Sequence, residues 1–207
     1  MKIRTIATGK AKKYLKKHEE FESAYKKDNF VDSIKVDSLG IAGDIQVDKR
    51  FHGGEDKAIH IGSYVHLDEN PTFDKLFMGC NIIVDELTED SVCAGDIYKV
   101  GEVRLEVTQP RQPCWKIGVI FGKEINRYIV KNFATGWYVR VLNEGTIKTS
   151  DKMVLEKRVS NLTIKDLSKY LKSVPSDRNI IEDILNLDSI AKSYKKDFIK
   201  KLGENNS

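Results

Sequence analysis

From Ser33 to about Glu156 the chain alternates apolar and polar residues in short runs: SIKVDSLGI, KAIHIG, NIIVDEL, DIYKV, VRLEVTQP, WYVRVL and KMVLEK. Glycines and Asn/Asp turns separate them, and a period of two between turn signals is the pattern of strands with one buried face. A first strand is expected around Lys2 to Thr8. So many short strands predict a closed, barrel-like sheet. DIYKVGEVRLEV reads as a hairpin turning near Gly101, and WYVRVLNEGTIKTSDKMVLEK as another turning around Asn143 to Gly145. Between them KEINRYIVKNF places Ile125, Tyr128, Ile129 and Phe133 at helical spacing.

Beyond Arg158 the period becomes helical. Ile164, Leu167 and Leu171, then Ile181, Ile184 and Leu185, then Ile190, Tyr194, Phe198 and Leu202 predict three amphipathic helices. Thr163 and Asp166 form a capping pair, Pro175 separates the first two helices, and Asp188 is the expected cap of the third. The expected fold class is α+β, mainly β, with a barrel-like domain over 1–158 and a C-terminal three-helix appendage over 159–207. The lysine- and glutamate-rich segment of about 10–28 reads as an inserted loop or short helix that modifies access to a site or a partner surface. The three helices also admit a helix-turn-helix reading, but a packing appendage needs fewer assumptions.

The 207 residues are 40% hydrophobic and 32% charged, ordinary for a soluble globular protein. No apolar stretch approaches the ~20 residues of a membrane helix, and MKIRTIATGK lacks the features of a secretory signal, so a cytoplasmic protein without membrane association is expected. The net charge of +4 comes largely from KAKKYLKK and KSYKKDFIKK. Solvated faces explain these clusters, and without an aromatic stacking pattern nucleic acid is not an expected partner. Oligomeric state is not readable. Cys80, Cys93 and Cys114 show no CxxC spacing, and the four histidines show no HxxxH pair, so neither a disulfide framework, an iron–sulfur cluster nor zinc is expected.

Three segments carry candidate chemistry. In Thr108-Gln109-Pro110-Arg111-Gln112-Pro113-Cys114-Trp115-Lys116 a strand runs into a cysteine between prolines and two cations. Prolines stiffen the loop, and Arg111 or Lys116 is placed to favour a thiolate, so Cys114 is either a reactive sulfur or a small apolar residue beside Trp115. In Phe51-His52-Gly53-Gly54-Glu55-Asp56-Lys57 the Gly53 and Gly54 amides, with Lys57, suit an anion cradle, although a tight turn explains the same glycines. His52 is a candidate proton donor. In Gly136 to Leu142, Trp137, Val139 and Val141 belong to the core, and Arg140 faces the opposite side, towards solvent or an anion.

GDIQVDKRFHGGEDKAI, LTEDSVCAGDIYKVGEVRLEVTQPRQPCW and TGWYVRVLNEG, in this order, resemble the MOSC-domain family, in particular its bacterial stand-alone group. The resemblance covers most of Gly40 to Ser160. It implies a MOSC-type β-barrel-like core and a molybdenum cofactor (molybdopterin) held by the cysteine after PRQP, here Cys114. It further implies reduction of N-hydroxylated compounds such as N-hydroxylated purines. On that basis the catalytic residues are Cys114, His52 and Lys57, the metal ligand is Cys114, and the cofactor is held by Arg111, Lys57, Gly53, Gly54 and Asn81. Family members commonly read Gly-Glu-Asn where this chain has Gly79-Cys80-Asn81, which removes any role of that glutamate. Without a flavin fingerprint or cysteine cluster, the chain needs a separate electron-donor reductase. The alternatives are a sulfur carrier using a Cys114 persulfide and a non-catalytic cofactor-binding module.

Overall fold

The computed structural model describes residues 1–48, 53–70, 73 and 79–205. The strands before the HGG segment are β1 (Ile3–Thr8), β2 (Lys12–Lys16), β3 (Glu19–Ser23), β4 (Asn29–Phe30), β5 (Ser33–Asp37) and β6 (Gly40–Ile41). After it come β7 (Ile59–Ser63), α1 (Val65–Glu69), β8 (Ile82–Val84), β9 (Ile97–Val100), β10 (Val103–Pro110), α2 (Trp115–Ile120) and α3 (Lys123–Asn132). The chain continues through β11 (Trp137–Asn143), β12 (Gly145–Lys148), β13 (Met153–Lys157), α4 (Ile164–Tyr170), α5 (Arg178–Asn186) and α6 (Lys192–Asn205). The fold is α+β and mainly β.

Eight strands form one mixed sheet in the order β13-β9-β10-β11-β7-β8-β1-β4. Alternation explains β10 and β11: Val103, Leu105, Val107, Trp137 and Val139 are all fully buried, and Val107 faces Val139 in register. The β9–β10 hairpin turns at Gly101, whose φ of 59° suits a residue without a Cβ. β7 and β8 pair in parallel, Ile61 opposite Ile82, so the chain crosses over between them by way of α1.

Three expectations need correction. The sheet is open rather than a closed barrel among the described residues: its ends are β13 and β4, and Met1 and Lys2 reach Lys152 and Met153 through one bridge and its flanking bonds. The second hairpin does not form as read. β12 leaves β11 and pairs with β5, Gly145 opposite Val36, because that register buries Ile147 against Val36 and Ile41. The 10–28 segment is a β-hairpin, with Tyr14 opposite Phe21 across β2–β3 and their rings stacked 5.6 Å apart. Its lysines and glutamates favour helix, but packing on Trp115, whose ring meets Phe21 edge-on at 4.8 Å, overrides that preference.

α4, α5 and α6 bury Leu167, Ile184, Tyr194 and Phe198 together with Ala94 from the sheet side. The Ala191 N–H donates to the Thr108 carbonyl of β10 at 3.2 Å, and Ser193 donates to Gln109 at 2.9 Å. These contacts tie α6 to the strand that leads into the cysteine loop. Thr163 caps α4 as read, its hydroxyl oxygen accepting from the Asp166 N–H at 3.0 Å. Asp188 does not cap α6, which begins at Lys192. Among the described residues no helix is long and apolar enough to cross a membrane.

Candidate functional site

β10 ends at Pro110, and the next four residues turn into α2 with Cys114 at its N-cap, in an extended conformation. Prolines on either side of Arg111-Gln112 restrict this turn. Cys114 lines a cavity of about 340 Å³ together with Lys57, Gln109, Arg111, Tyr138 and Asp197. A smaller cavity of about 60 Å³ adjoins it, walled by Tyr25, Lys27, Asp44, Gly53, Asn81 and His60. Asp48, Lys57, Arg111, Lys116 and Tyr138 line both.

Arg111 is buried between the two. Its Nη1 donates to His60 Nδ1 at 3.0 Å, and its guanidinium lies 4.2 Å from the Tyr25 ring centroid. Its Nε is buried without a hydrogen-bond partner among the described residues. His60 Nε2 is 3.1 Å from the Thr135 carbonyl. A guanidinium only donates and a carbonyl only accepts, so His60 carries its proton on Nε2 and accepts at Nδ1. Burial, followed by the charge of Arg111, holds the His60 pKa well below the usual histidine range, and the ring is neutral. Arg111 thus keeps its charge in a buried layer, oriented by an imidazole that does not repel it.

Lys57 lies on a 3-10 turn, Glu55–Lys57. Arg140 clamps that turn by pairing with Asp56 at 2.6 Å and with Glu106 at 2.8 Å. Arg140 therefore meets protein carboxylates while staying partly exposed, and braces the turn that carries Lys57. Burial lowers the Lys57 pKa, with Asp197 and Asp56 opposing the shift. Gly53 has φ 100°, and a Cβ there would lie 1.9 Å from Gln46 Oε1. Close approach to Gln46 requires this glycine, which also walls the smaller cavity. Gly54 has φ 80°, and its carbonyl accepts from the Lys57 N–H at 2.9 Å, a turn contact. His52 lies outside the described residues.

Asn81 walls the smaller cavity, but its side chain serves the backbone. It accepts from the His60 N–H at 3.2 Å and donates to the Ala7 carbonyl at 3.4 Å. The neighbouring cations do not hold Cys114 as expected: Arg111 turns to His60, and Lys116 donates to the Glu22 carbonyl at 3.2 Å. The group at the sulfur is the Tyr25 hydroxyl, 3.2 Å from Sγ.

Sequence reading missed Tyr25, Lys27 and His60 as wall residues, whereas Asp44 belongs to the GDIQ stretch that precedes the HGG segment. Lys27 and Asp44 form a buried pair, both carboxylate oxygens within 2.7 Å of Nζ. Tyr25 and Lys27 carry no motif, whereas His60 had one overlooked signal, a polar residue between buried Ile59 and Ile61. The donor set fits a molybdenum–pterin group: a sulfur on the larger cavity, four cations against three carboxylates on the two walls, and a buried guanidinium Nε whose donor is unmet among the described residues.

Residues 48–154 match the family profile described as MOSC domain. The chain is 30% identical over 205 residues to Protein YiiM of Escherichia coli (strain K12), covering 95% of this chain and 90% of that protein. A protein of Gibberella moniliformis named Reductase is 28% identical over 180 residues, 81% of this chain and 32% of that protein. The crystal structure of YiiM from Geobacillus stearothermophilus is similar with a TM-score of 0.75 at 28% identity, covering 97% of this chain and 98% of that one. A profile match that takes in the HGG turn, β10 and the cysteine loop, and a relative aligned over nearly the whole length, place this chain in the MOSC domain family.

Proposed function

We propose that this protein binds a molybdenum–pterin cofactor through Cys114 and reduces N-hydroxylated compounds, such as N-hydroxylated purines, with electrons from a separate reductase. The observation that carries the reading is the placement of Cys114 on a cavity of about 340 Å³ whose wall also holds Lys57 and the buried Arg111. Family membership and the relative named Reductase support it.

When bound, the cofactor supplies a two-electron redox centre. Cys114 offers the thiolate ligand, and Arg111 and Lys57 offset the anionic charge of the pterin phosphate. The reaction breaks the N–O bond, takes up two electrons and two protons, and releases water. Lys57, whose lowered pKa makes it the readier proton donor, serves the departing hydroxyl. Gln109 and Tyr138 line the space for the substrate.

The test is molybdenum and pterin analysis of protein from a molybdate-supplemented, cofactor-competent host, followed by reduction of an N-hydroxylated purine with a chemical electron donor. Stoichiometric molybdenum and turnover in wild type, both absent in folded Cys114→Ser, are expected. A wild-type protein that takes up no cofactor in such a host overturns the reading, and cofactor binding without turnover reduces it to a binding module.

A further inference from the structure

We propose that Tyr25 is a positioning residue for the Cys114 sulfur: its phenol donates a hydrogen bond to Sγ and tunes how strongly the sulfur donates. The inference deepens the cofactor reading, and its metal-bound half rests on that reading.

The Tyr25 oxygen lies 3.2 Å from Sγ. A thiolate has no proton to give, so the phenol is the donor whenever the sulfur is charged. The guanidinium of Arg111, 4.2 Å from the ring centroid, withdraws electron density from the phenol and strengthens it as a donor.

Tyr25 is held from several sides. Its N–H donates to Ser23 Oγ at 3.2 Å, Lys116 grips the Glu22 carbonyl, and Lys27 is locked to Asp44. Gly79 completes the seat: a Cβ there would lie 2.6 Å from the Tyr25 carbonyl oxygen and 2.9 Å from its Cδ1. The inserted hairpin therefore delivers a group to the site rather than merely bordering it. Hydrogen bonds to a ligating sulfur weaken its donation to the metal and raise the reduction potential of the centre.

The experiment compares wild type with Tyr25→Phe and with 3-fluorotyrosine incorporated at position 25, a stronger donor. In cofactor-free protein at fixed neutral pH, iodoacetamide capture of Cys114 is followed by peptide mass. Tyr25→Phe is expected to react about threefold more slowly, because the sulfur that attacks loses its hydrogen-bond partner. The fluorinated protein is expected to react faster. A residue that merely filled space would not move the two variants in opposite directions. In loaded protein the sulfur-to-molybdenum absorption band is expected at longer wavelength in Tyr25→Phe, with molybdenum content unchanged.

Equal capture rates in all three proteins overturn the inference, whatever the metal does. A band unmoved in loaded Tyr25→Phe overturns its metal-bound half. If Cys114→Ser retains molybdenum, the cofactor reading falls instead, and the capture rates alone decide the role of Tyr25.

Discussion

Cys80 and Cys114 pack into one apolar cluster with Ile117 and Ile125, yet their surroundings differ. Cys80 is 2% exposed, 3.9 Å from the neutral His60 ring, and burial pushes its thiol up to about 12. Cys114 is half-buried, lines the larger cavity and meets a phenol. Arg111 stands between these surroundings, bonded to the buried His60 and lining the cavity that Cys114 shares. The same element is an inert packing group in the first and a ligand candidate in the second, since a thiol reacts through its thiolate and through access.

The largest expected effect sharpens this contrast directly. Cys114→Ser loses all molybdenum and pterin, whereas Cys80→Ala keeps both and loses about 1 kcal/mol of stability to a small cavity. Loss of metal in folded Cys80→Ala would show that both sulfurs serve the site and would end the comparison. Next in size is chemical selectivity in the native protein at pH 8. Burial keeps the Cys80 thiol protonated at that pH. Iodoacetamide is therefore expected to label Cys114 and leave Cys80 free until the protein is unfolded, as read by peptide mass.

Lys57 tests the cavity that Cys114 lines. Lys57→Gln is expected to lower kcat by about 10²–10⁴-fold with little change in KM, the loss of a proton donor. The donor must hold its proton, so the wild-type rate falls as pH rises through the depressed pKa of Lys57, and the variant lacks that fall. A loss confined to KM would assign Lys57 to binding alone.

The smallest effect belongs to the buried His60. His60 stays neutral in the folded protein below the pH at which it takes up a proton when unfolded. Its contribution is fully present above about 6.5 and is lost as pH falls, by up to about 1.4 kcal/mol per pH unit. Urea unfolding between pH 7 and 5 is expected to show that slope, and His60→Gln to flatten it.

Much of the fold was legible because its signals are local. Val103, Leu105 and Val107 declare β10 by alternation, Gly101 declares its hairpin, and Thr163 declares the start of α4. The pairing of β12 with β5 was not legible, since Asn143 to Gly145 supplies turn chemistry for a hairpin and only the partner's buried face decides otherwise. The β2–β3 hairpin was hidden for the reverse reason: its residues prefer helix, and its stacking on Trp115 exists only in the folded chain.

The candidate site divides in the same way. The sequence by itself determined that Cys114 follows a stiff strand-end loop with Arg111 beside it, because prolines act on their own backbone. It also marked Gly53 and Gly54 as backbone that needs glycine, and both take a positive φ. Only the tertiary structure decided that Arg111 turns inward to His60, that Asn81 is spent on backbone groups and that Cys80 is sealed. It alone placed Tyr25, 89 residues away in sequence, at the Cys114 sulfur. Burial and hydrogen-bond partners arise between distant segments, and they decide which charges and protons a side chain keeps.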